Sequence, residues 1–89
     1  MTSRSRDNEV LVVIGAGGMG VSVARRVGAG RAIVLADVSR AGLNTAAAAL
    51  SSDGHQVLTR EVDVTSRASV AALAEVAESA GRVTAVVHT

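Results

Sequence analysis

The stretch V-L-V-V-I-G-A-G-G-M-G at residues 10–20 decides the fold class of this chain. Five apolar residues run without a polar break, and the glycines that follow have the spacing G-x-G-x-x-G. A helical pattern opens directly after them. An apolar strand, a glycine turn and a helix in this order are the context in which the glycine spacing indicates dinucleotide binding. The alternative is a purely structural turn between a strand and a helix.

Each glycine of the turn has a physical role in the dinucleotide hypothesis. Gly15 lets the chain leave the strand through a tight turn. Gly17 keeps the backbone bare so that a pyrophosphate can approach, and Gly20 lets the helix pack close to the strand. The N–H groups at the helix start, together with the helix dipole, then hold the anion. We therefore predict a cofactor-binding turn formed by Gly15, Ala16, Gly17, Gly18, Met19 and Gly20.

The composition limits the kinds of protein that this chain can be. Its 89 residues allow one small domain, and because Phe, Tyr and Trp are absent, the core must be built from smaller aliphatic residues. The absence of Cys excludes disulfides and thiolate metal sites, and we predict no metal centre. A net charge of +1 with scattered charges predicts no nucleic-acid partner. No apolar run is long enough for a signal peptide or a membrane span, so we expect no membrane contact and a cytoplasmic location.

Short apolar runs alternate with helical patterns along the rest of the chain. Residues 1–9 are polar and are predicted to form a flexible arm, and residues 10–89 a partial NAD(P)-binding Rossmann domain. The predicted strands cover residues 10–14, 32–36, 56–62 and 83–87, and the predicted helices cover about 18–27, 40–51 and 67–80. This β-α-β-α-β-α-β order indicates parallel βαβ units. The predicted fold is an α/β, doubly wound parallel sheet with strand order 3-2-1-4.

The helical periodicity also predicts which residues face the sheet. In the first helix, Met19, Val23 and Val27 recur every four residues, with Gly20 and Ala24 beside them. We expect these residues to form one small-residue face toward the sheet.

Two acidic residues follow predicted strands. Asp37, followed by Val38, comes about 20 residues after the glycine turn, where a carboxylate accepts hydrogen bonds from the ribose hydroxyls. Such a carboxylate would also repel a 2′-phosphate, so it favours NAD over NADP, although Arg40 could reach toward that phosphate. Asp63 and Val64 could read the adenine edge. Both acids could instead cap the helices that follow them.

Taken together, these residues resemble the front half of a short-chain dehydrogenase/reductase. The resemblance rests on the glycine turn, Asp37, D-V-T at residues 63–65 and V-V-H-T at residues 86–89. It implies that the turn binds pyrophosphate, that the acid after strand two sets cofactor choice and that Asp63 and Val64 contact adenine. It also implies that strand four leads into a loop along the nicotinamide ribose, which places His88 in the cofactor site.

The sequence departs from the family pattern at two points. The family's usual glycine pattern is T-G-x-x-x-G-x-G, whereas here Ile14 replaces the Thr and the turn is one residue shorter. The family's catalysis uses Ser, Tyr and Lys, and this sequence contains neither Tyr nor Lys. We therefore predict no catalytic residue in this chain alone. A single histidine, His88, lacks an orienting partner for acid catalysis.

These observations leave several functions open. The first is the cofactor-binding front of an NAD(P)-dependent oxidoreductase, inactive by itself. The second is a stand-alone NAD-binding regulatory module without catalysis, and the third is a half-domain of a flavin or methyltransferase enzyme. The apolar fourth strand would have one unpaired edge, which favours an interrupted domain and predicts self-association through that edge.

Overall fold

The computed structural model describes residues 8–89, which form one four-stranded sheet flanked by three helices. The predicted arm falls outside the described residues up to position 7, and its last residue, Glu9, is the first residue of β1. The elements in chain order are β1 (Glu9–Ile14), α1 (Gly18–Val27), β2 (Ala32–Asp37), α2 (Arg40–Ser52), β3 (Gln56–Glu61), α3 (Arg67–Ala80) and β4 (Arg82–His88). All seven predicted elements are present, with ends that shift by at most one residue.

The sheet has the strand order β3-β2-β1-β4 with every neighbouring pair parallel, which confirms the predicted topology. β1 is central, since Ile14 is in register with Ala36 on one side and with His88 on the other. Asp37 is in register with Glu61 of β3. The carboxyl ends of all four strands therefore meet at one edge, with the topological switch point between β1 and β4. Open α/β sheets bind ligands at such an edge.

Two apolar clusters cover the two faces of the sheet, which explains why β1 and β2 are continuous apolar runs. On the face of α1 and α2, Leu11 and Leu35 pack against Leu43 and Leu50. On the face of α3, Val12 and Val34 pack against Leu73. Residues of each central strand alternate between these two cores, so both faces are buried.

The predicted packing stripe of α1 is wrong in part. Met19 is 73% exposed and Val27 is 39% exposed, whereas the buried residues of this helix are Gly20 and Ala24. The smallest side chains face the sheet because the start of α1 runs directly over the glycine turn, where a larger residue has no room. Close approach, and not apolar bulk, therefore sets the rotation of this helix.

Serine side chains fix the starts of the other two helices. The Ser39 hydroxyl accepts a hydrogen bond from the Gly42 N–H at 3.1 Å, and the Ser66 hydroxyl accepts one from the Ser69 N–H at 3.2 Å. These are N-caps. Both helices thus begin immediately beyond the carboxyl edge of the sheet, next to Asp37 and Asp63. No helix within residues 8–89 is long and apolar enough to cross a membrane.

Candidate dinucleotide site

The glycine turn is tied to the end of β2. The Gly15 N–H donates a hydrogen bond to the Ala36 carbonyl at 2.7 Å, and Gly15 has a φ of +108°, a conformation that L side chains rarely adopt. A Cβ at this position would also overlap the Thr89 hydroxyl. The turn therefore needs glycine here for both its backbone angle and its space.

The start of α1 presents unsatisfied backbone donors. The first helical hydrogen bond runs from the Val21 N–H to the Gly17 carbonyl at 3.0 Å, so the amides of Gly18, Met19 and Gly20 have no acceptor within the helix. Gly17 provides no side-chain cap, and the first turn carries no acidic residue. Such a helix start, with its dipole, favours an anion.

The glycines of the turn differ in what surrounds them. A Cβ at Gly20 would overlap the Gly15 carbonyl oxygen, which fits the predicted role in close helix packing. In contrast, no atom lies within 4 Å of the positions that a Cβ would take at Gly17 and Gly18. These two glycines leave a bare backbone cradle that a side chain would fill, and a pyrophosphate fits such a cradle.

Asp37 is held against the glycine turn. Its Oδ2 accepts a hydrogen bond from the Ala16 N–H at 2.7 Å, and its Oδ1 accepts one from the Ser39 N–H at 3.1 Å. The carboxylate therefore does not cap α2, a role that Ser39 fills. Each carboxylate oxygen retains a free acceptor site, so the group can still accept ribose hydroxyls.

These amides keep Asp37 ionised. The hydrogen bond from Ala16 and then that from Ser39 lower the pKa of Asp37 below its ordinary value of 3.8, and partial burial offsets this only in part. At neutral pH the site thus presents a fixed negative charge beside the glycine turn. That charge accepts hydroxyl donors and repels anions.

Asp63 is engaged locally as well as facing the site. Its Oδ1 accepts hydrogen bonds from the Thr65 hydroxyl at 2.6 Å and from the Thr65 N–H at 2.9 Å, an Asx turn that leads into α3. The Thr65 hydroxyl, followed by the Thr65 amide, lowers the pKa of Asp63. The carboxylate therefore shapes the turn before α3 but does not cap this helix, a role that Ser66 fills.

A cleft of about 380 Å³ opens at the carboxyl edge of the sheet. Six predicted site residues line it, namely Gly15, Asp37, Val38, Asp63, Val64 and His88. Ile14, Val62 and Thr89 complete the lining. The sequence analysis missed Thr89 as a site residue, although it belongs to the quoted V-V-H-T stretch; its N–H donates to the Ile14 carbonyl at 2.9 Å.

The remaining predicted residues lie outside this cleft. Ala16, Gly17 and Gly18 line a neighbouring open groove of about 700 Å³ between α1 and α2. Met19 is exposed at the start of α1, and Gly20 is buried beneath the turn. The glycine turn thus lies between the cleft and the groove. No group of His, Cys, Asp and Glu side chains that could hold a metal ion occurs in residues 8–89.

The profile of the short chain dehydrogenase family matches residues 8–89, which is nearly the whole chain. The chain belongs to this family. As the resemblance implied, it corresponds to the N-terminal part of a short-chain dehydrogenase/reductase.

Individual relatives agree with this assignment. A short-chain dehydrogenase/reductase of Alternaria brassicicola is 46% identical over 77 residues, which are 86% of this chain and 28% of that protein. The crystal structure of a short-chain dehydrogenase/reductase from Burkholderia phymatum in complex with NAD is similar with a TM-score of 0.80 at 34% identity, over 94% of this chain and 31% of that one. A variant of actinorhodin polyketide ketoreductase with NADPH gives a TM-score of 0.87 at 31% identity, over 98% of this chain and 34% of that one.

The chain therefore spans about a third or less of the length of these short-chain dehydrogenases. The dinucleotides named with the two crystal structures differ, one being NAD and the other NADPH. Family membership thus supports a nicotinamide dinucleotide as the ligand class, and the choice between the two forms depends on the residues of this chain.

Proposed function

We propose that this chain binds NAD as the cofactor-binding part of a short-chain dehydrogenase/reductase. In this proposal the amides of Gly18, Met19 and Gly20 hold the pyrophosphate, and Asp37 accepts the adenosine ribose hydroxyls. The observation that carries the proposal is the hydrogen bond between the Ala16 N–H and Asp37 Oδ2, because it joins the anion-binding turn to the ribose-binding acid at one edge of the sheet. An ionised acid and a bare helix start side by side match the two polar parts of one dinucleotide.

The two ends of the dinucleotide are proposed to lie on either side of the turn. On the side of β2 and β3, Val38, Asp63 and Val64 line the cleft and would contact the adenine. On the side of β4, His88 and Thr89 would lie along the nicotinamide ribose. The order of the strands supports this arrangement, since β4 and β3 are on opposite sides of β1.

We infer that the site prefers NAD to NADP. Asp37 is ionised at neutral pH and already accepts two backbone hydrogen bonds, so it cannot move aside without breaking them. A 2′-phosphate would stand beside this negative charge, and like charges in close contact are strongly unfavourable.

Asp37→Asn tests both the site and the preference. The neutral amide keeps the size of the side chain and removes the charge that repels a 2′-phosphate, although it can accept only one of the two backbone hydrogen bonds. We expect the ratio of NAD affinity to NADP affinity to fall by about 10-fold or more, equivalent to about 1.4 kcal/mol. Isothermal titration calorimetry of both dinucleotides into the chain measures this ratio.

Asp53→Asn is the matched control for that experiment. Asp53 is also an exposed aspartate, but it pairs with Arg25 at the C-terminal end of α2, far from the carboxyl edge of the sheet. We expect it to leave both affinities unchanged. An Asp37→Asn protein with the ratio of the unaltered chain would contradict the proposed role of this acid.

The bound nicotinamide ring would supply or accept a hydride in the oxidoreductase reaction. The 89 residues contain no Tyr and no Lys, so they provide no equivalent of the proton donor and ammonium that the family uses. A second candidate, a module that binds NAD without turnover, needs neither Tyr nor Lys. Both candidates share the binding step. They differ in whether NAD bound to this chain takes part in hydride transfer.

Self-association through β4 stays a prediction. No strand within residues 8–89 pairs with the outer edge of β4, and the side chains of Val83 and Val86 in this strand are 36% and 60% exposed. An apolar strand edge of this kind is a template for pairing with another strand.

A further inference from the structure

Arg40 is the cation nearest in sequence to the predicted ribose acid, and the structure shows where its guanidinium is held. Its Nε lies 3.1 Å from Glu61 Oε1, and its Nη1 donates a hydrogen bond to the Thr59 hydroxyl at 3.1 Å. Both partners belong to β3. Thr59 is in register with Leu35, two residues before Asp37, so the guanidinium reaches back from the carboxyl edge along the sheet face.

Glu61 also stands beside the ribose acid. It is in register with Asp37 on the neighbouring parallel strand, so the two side chains project from the same face of the sheet. The edge at which the adenosine ribose is proposed to bind thus carries two adjacent acids, and Arg40 is paired with the outer acid.

We propose that Glu61 is a positioning residue for cofactor choice: it holds Arg40 against β3 and so withholds from the site the cation that a 2′-phosphate would need. This inference rests on the proposed dinucleotide-binding function. Arginine is the side chain best suited to bind a phosphate through two parallel hydrogen bonds. With Arg40 bound to Glu61 and Thr59, that capacity is directed away from the ribose.

The ion pair between Arg40 and Glu61 is weak, so a bound 2′-phosphate can compete with Glu61 for Arg40. The side chains of Arg40 and Glu61 are 48% and 55% exposed, and an exposed ion pair of this kind contributes little to stability. A phosphate dianion can compete with such a pair, so removing the charge of Glu61 shifts Arg40 toward the phosphate. Release of one exposed pair corresponds to a change of about 2- to 5-fold in affinity.

The experiment measures NAD and NADP affinities of the 89-residue chain and of Glu61→Gln by calorimetry. We expect NADP to bind about 2- to 5-fold more tightly to the variant, with NAD changed by less than about 2-fold. If Glu61 had only a structural role, Glu61→Gln would lower the affinities for NAD and NADP together. Unchanged NADP affinity in Glu61→Gln would overturn the proposal.

Arg40→Gln separates an effect through Arg40 from an effect of the charge of Glu61 itself. In a chain that already carries Arg40→Gln, we expect Glu61→Gln to have no further effect on NADP affinity. If the gain in NADP affinity persists without Arg40, Glu61 acts by its own charge and the proposal is wrong.

Asp53→Asn serves as the control, because it breaks another exposed ion pair, that of Arg25 and Asp53 at 2.7 Å, away from the site. It should change neither affinity. Binding of NAD and NADP to the unaltered chain separates a failure of the proposed function from a failure of the inference about Glu61. If it binds neither dinucleotide, the proposed function fails and this inference fails with it, whereas NAD binding with an unchanged ratio in Glu61→Gln contradicts this inference alone.

Discussion

Gly17→Ala is expected to weaken dinucleotide binding strongly and to leave the fold intact. Gly17 has φ −74° and ψ −173°, which alanine adopts without strain, and no protein atom lies within 4 Å of the added Cβ. The same open space is where the pyrophosphate is proposed to approach the backbone. We expect NAD affinity to fall by at least about 10-fold, or about 1.4 kcal/mol, in a calorimetric titration.

The control for this variant is Gly42→Ala. Gly42 lies in the first turn of α2, and a Cβ there would stand at an ordinary contact distance of 3.4 Å from the Ser39 hydroxyl oxygen. We expect this substitution to leave NAD binding unchanged, so that a loss confined to Gly17→Ala identifies the turn. A Gly17→Ala chain that binds NAD as well as the unaltered chain would contradict pyrophosphate binding at this position.

Gly20→Ala, unlike Gly17→Ala, is expected to destabilise the folded state itself. A Cβ on Gly20 would overlap the Gly15 carbonyl oxygen and stand 3.4 Å from Val13 Cγ1. Both the turn and the first strand would have to move, and overpacking of this kind costs about 1–3 kcal/mol or more. A domain of this size has little stability to lose, since about 1 kcal/mol shifts its melting temperature by roughly 4–8 °C.

The measurement is thermal unfolding followed by far-ultraviolet circular dichroism, because the chain has no Phe, Tyr or Trp to report by fluorescence. Gly18→Ala is the matched control in the same turn, since a Cβ there meets no atom within 4 Å. We expect Gly18→Ala to melt near the unaltered chain and Gly20→Ala to melt far below it or to be unfolded. Equal melting temperatures for the two variants would show that the close contact is relieved without cost.

The sequence determined the fold because its signals are local and agree with one another. The apolar run of β1 and the glycine turn specify a buried parallel strand followed by a helix, and the alternation of elements then permits few topologies. The spacing of Asp37 from the turn placed this acid correctly beside it. The order of strands and helices and the position of Asp37 depend on the path of the backbone, which short sequence patterns predict well.

The errors arose where contacts depend on how closely elements approach. The predicted packing face of α1 joined Met19 and Val27 to Gly20, yet only Gly20 is buried there, because the carbonyl of Gly15 occupies the space that a larger residue would need. The spacing of apolar residues shows where the large side chains of a helix lie, but it does not show how closely the helix approaches its neighbours. The rotation of this helix could therefore not be predicted from the spacing of its larger residues.

Cross-strand contacts at the site were also beyond the sequence. The pairing of Arg40 with Glu61 depends on how the start of α2 lies against the end of β3. The hydrogen bond of the Thr89 N–H to the Ile14 carbonyl depends on the pairing of β1 with β4. In parallel sheets the register is set by the crossover packing and by no short motif. Glu61, the residue proposed to influence cofactor choice, is therefore one that no dinucleotide motif singles out.

The central claim is that backbone amides of the glycine turn bind the pyrophosphate while Asp37 binds the ribose. Two-dimensional amide NMR spectra of the chain during titration with NAD test it most directly, since they report each backbone N–H separately. We expect the amide signals of Gly17, Gly18, Met19 and Gly20 to shift most, together with those of Ala16 and Ser39, which bond to Asp37. Shifts confined to the opposite edge of the sheet, around Gly30 and Gly54, or no shift in the turn at saturating NAD, would contradict the claim.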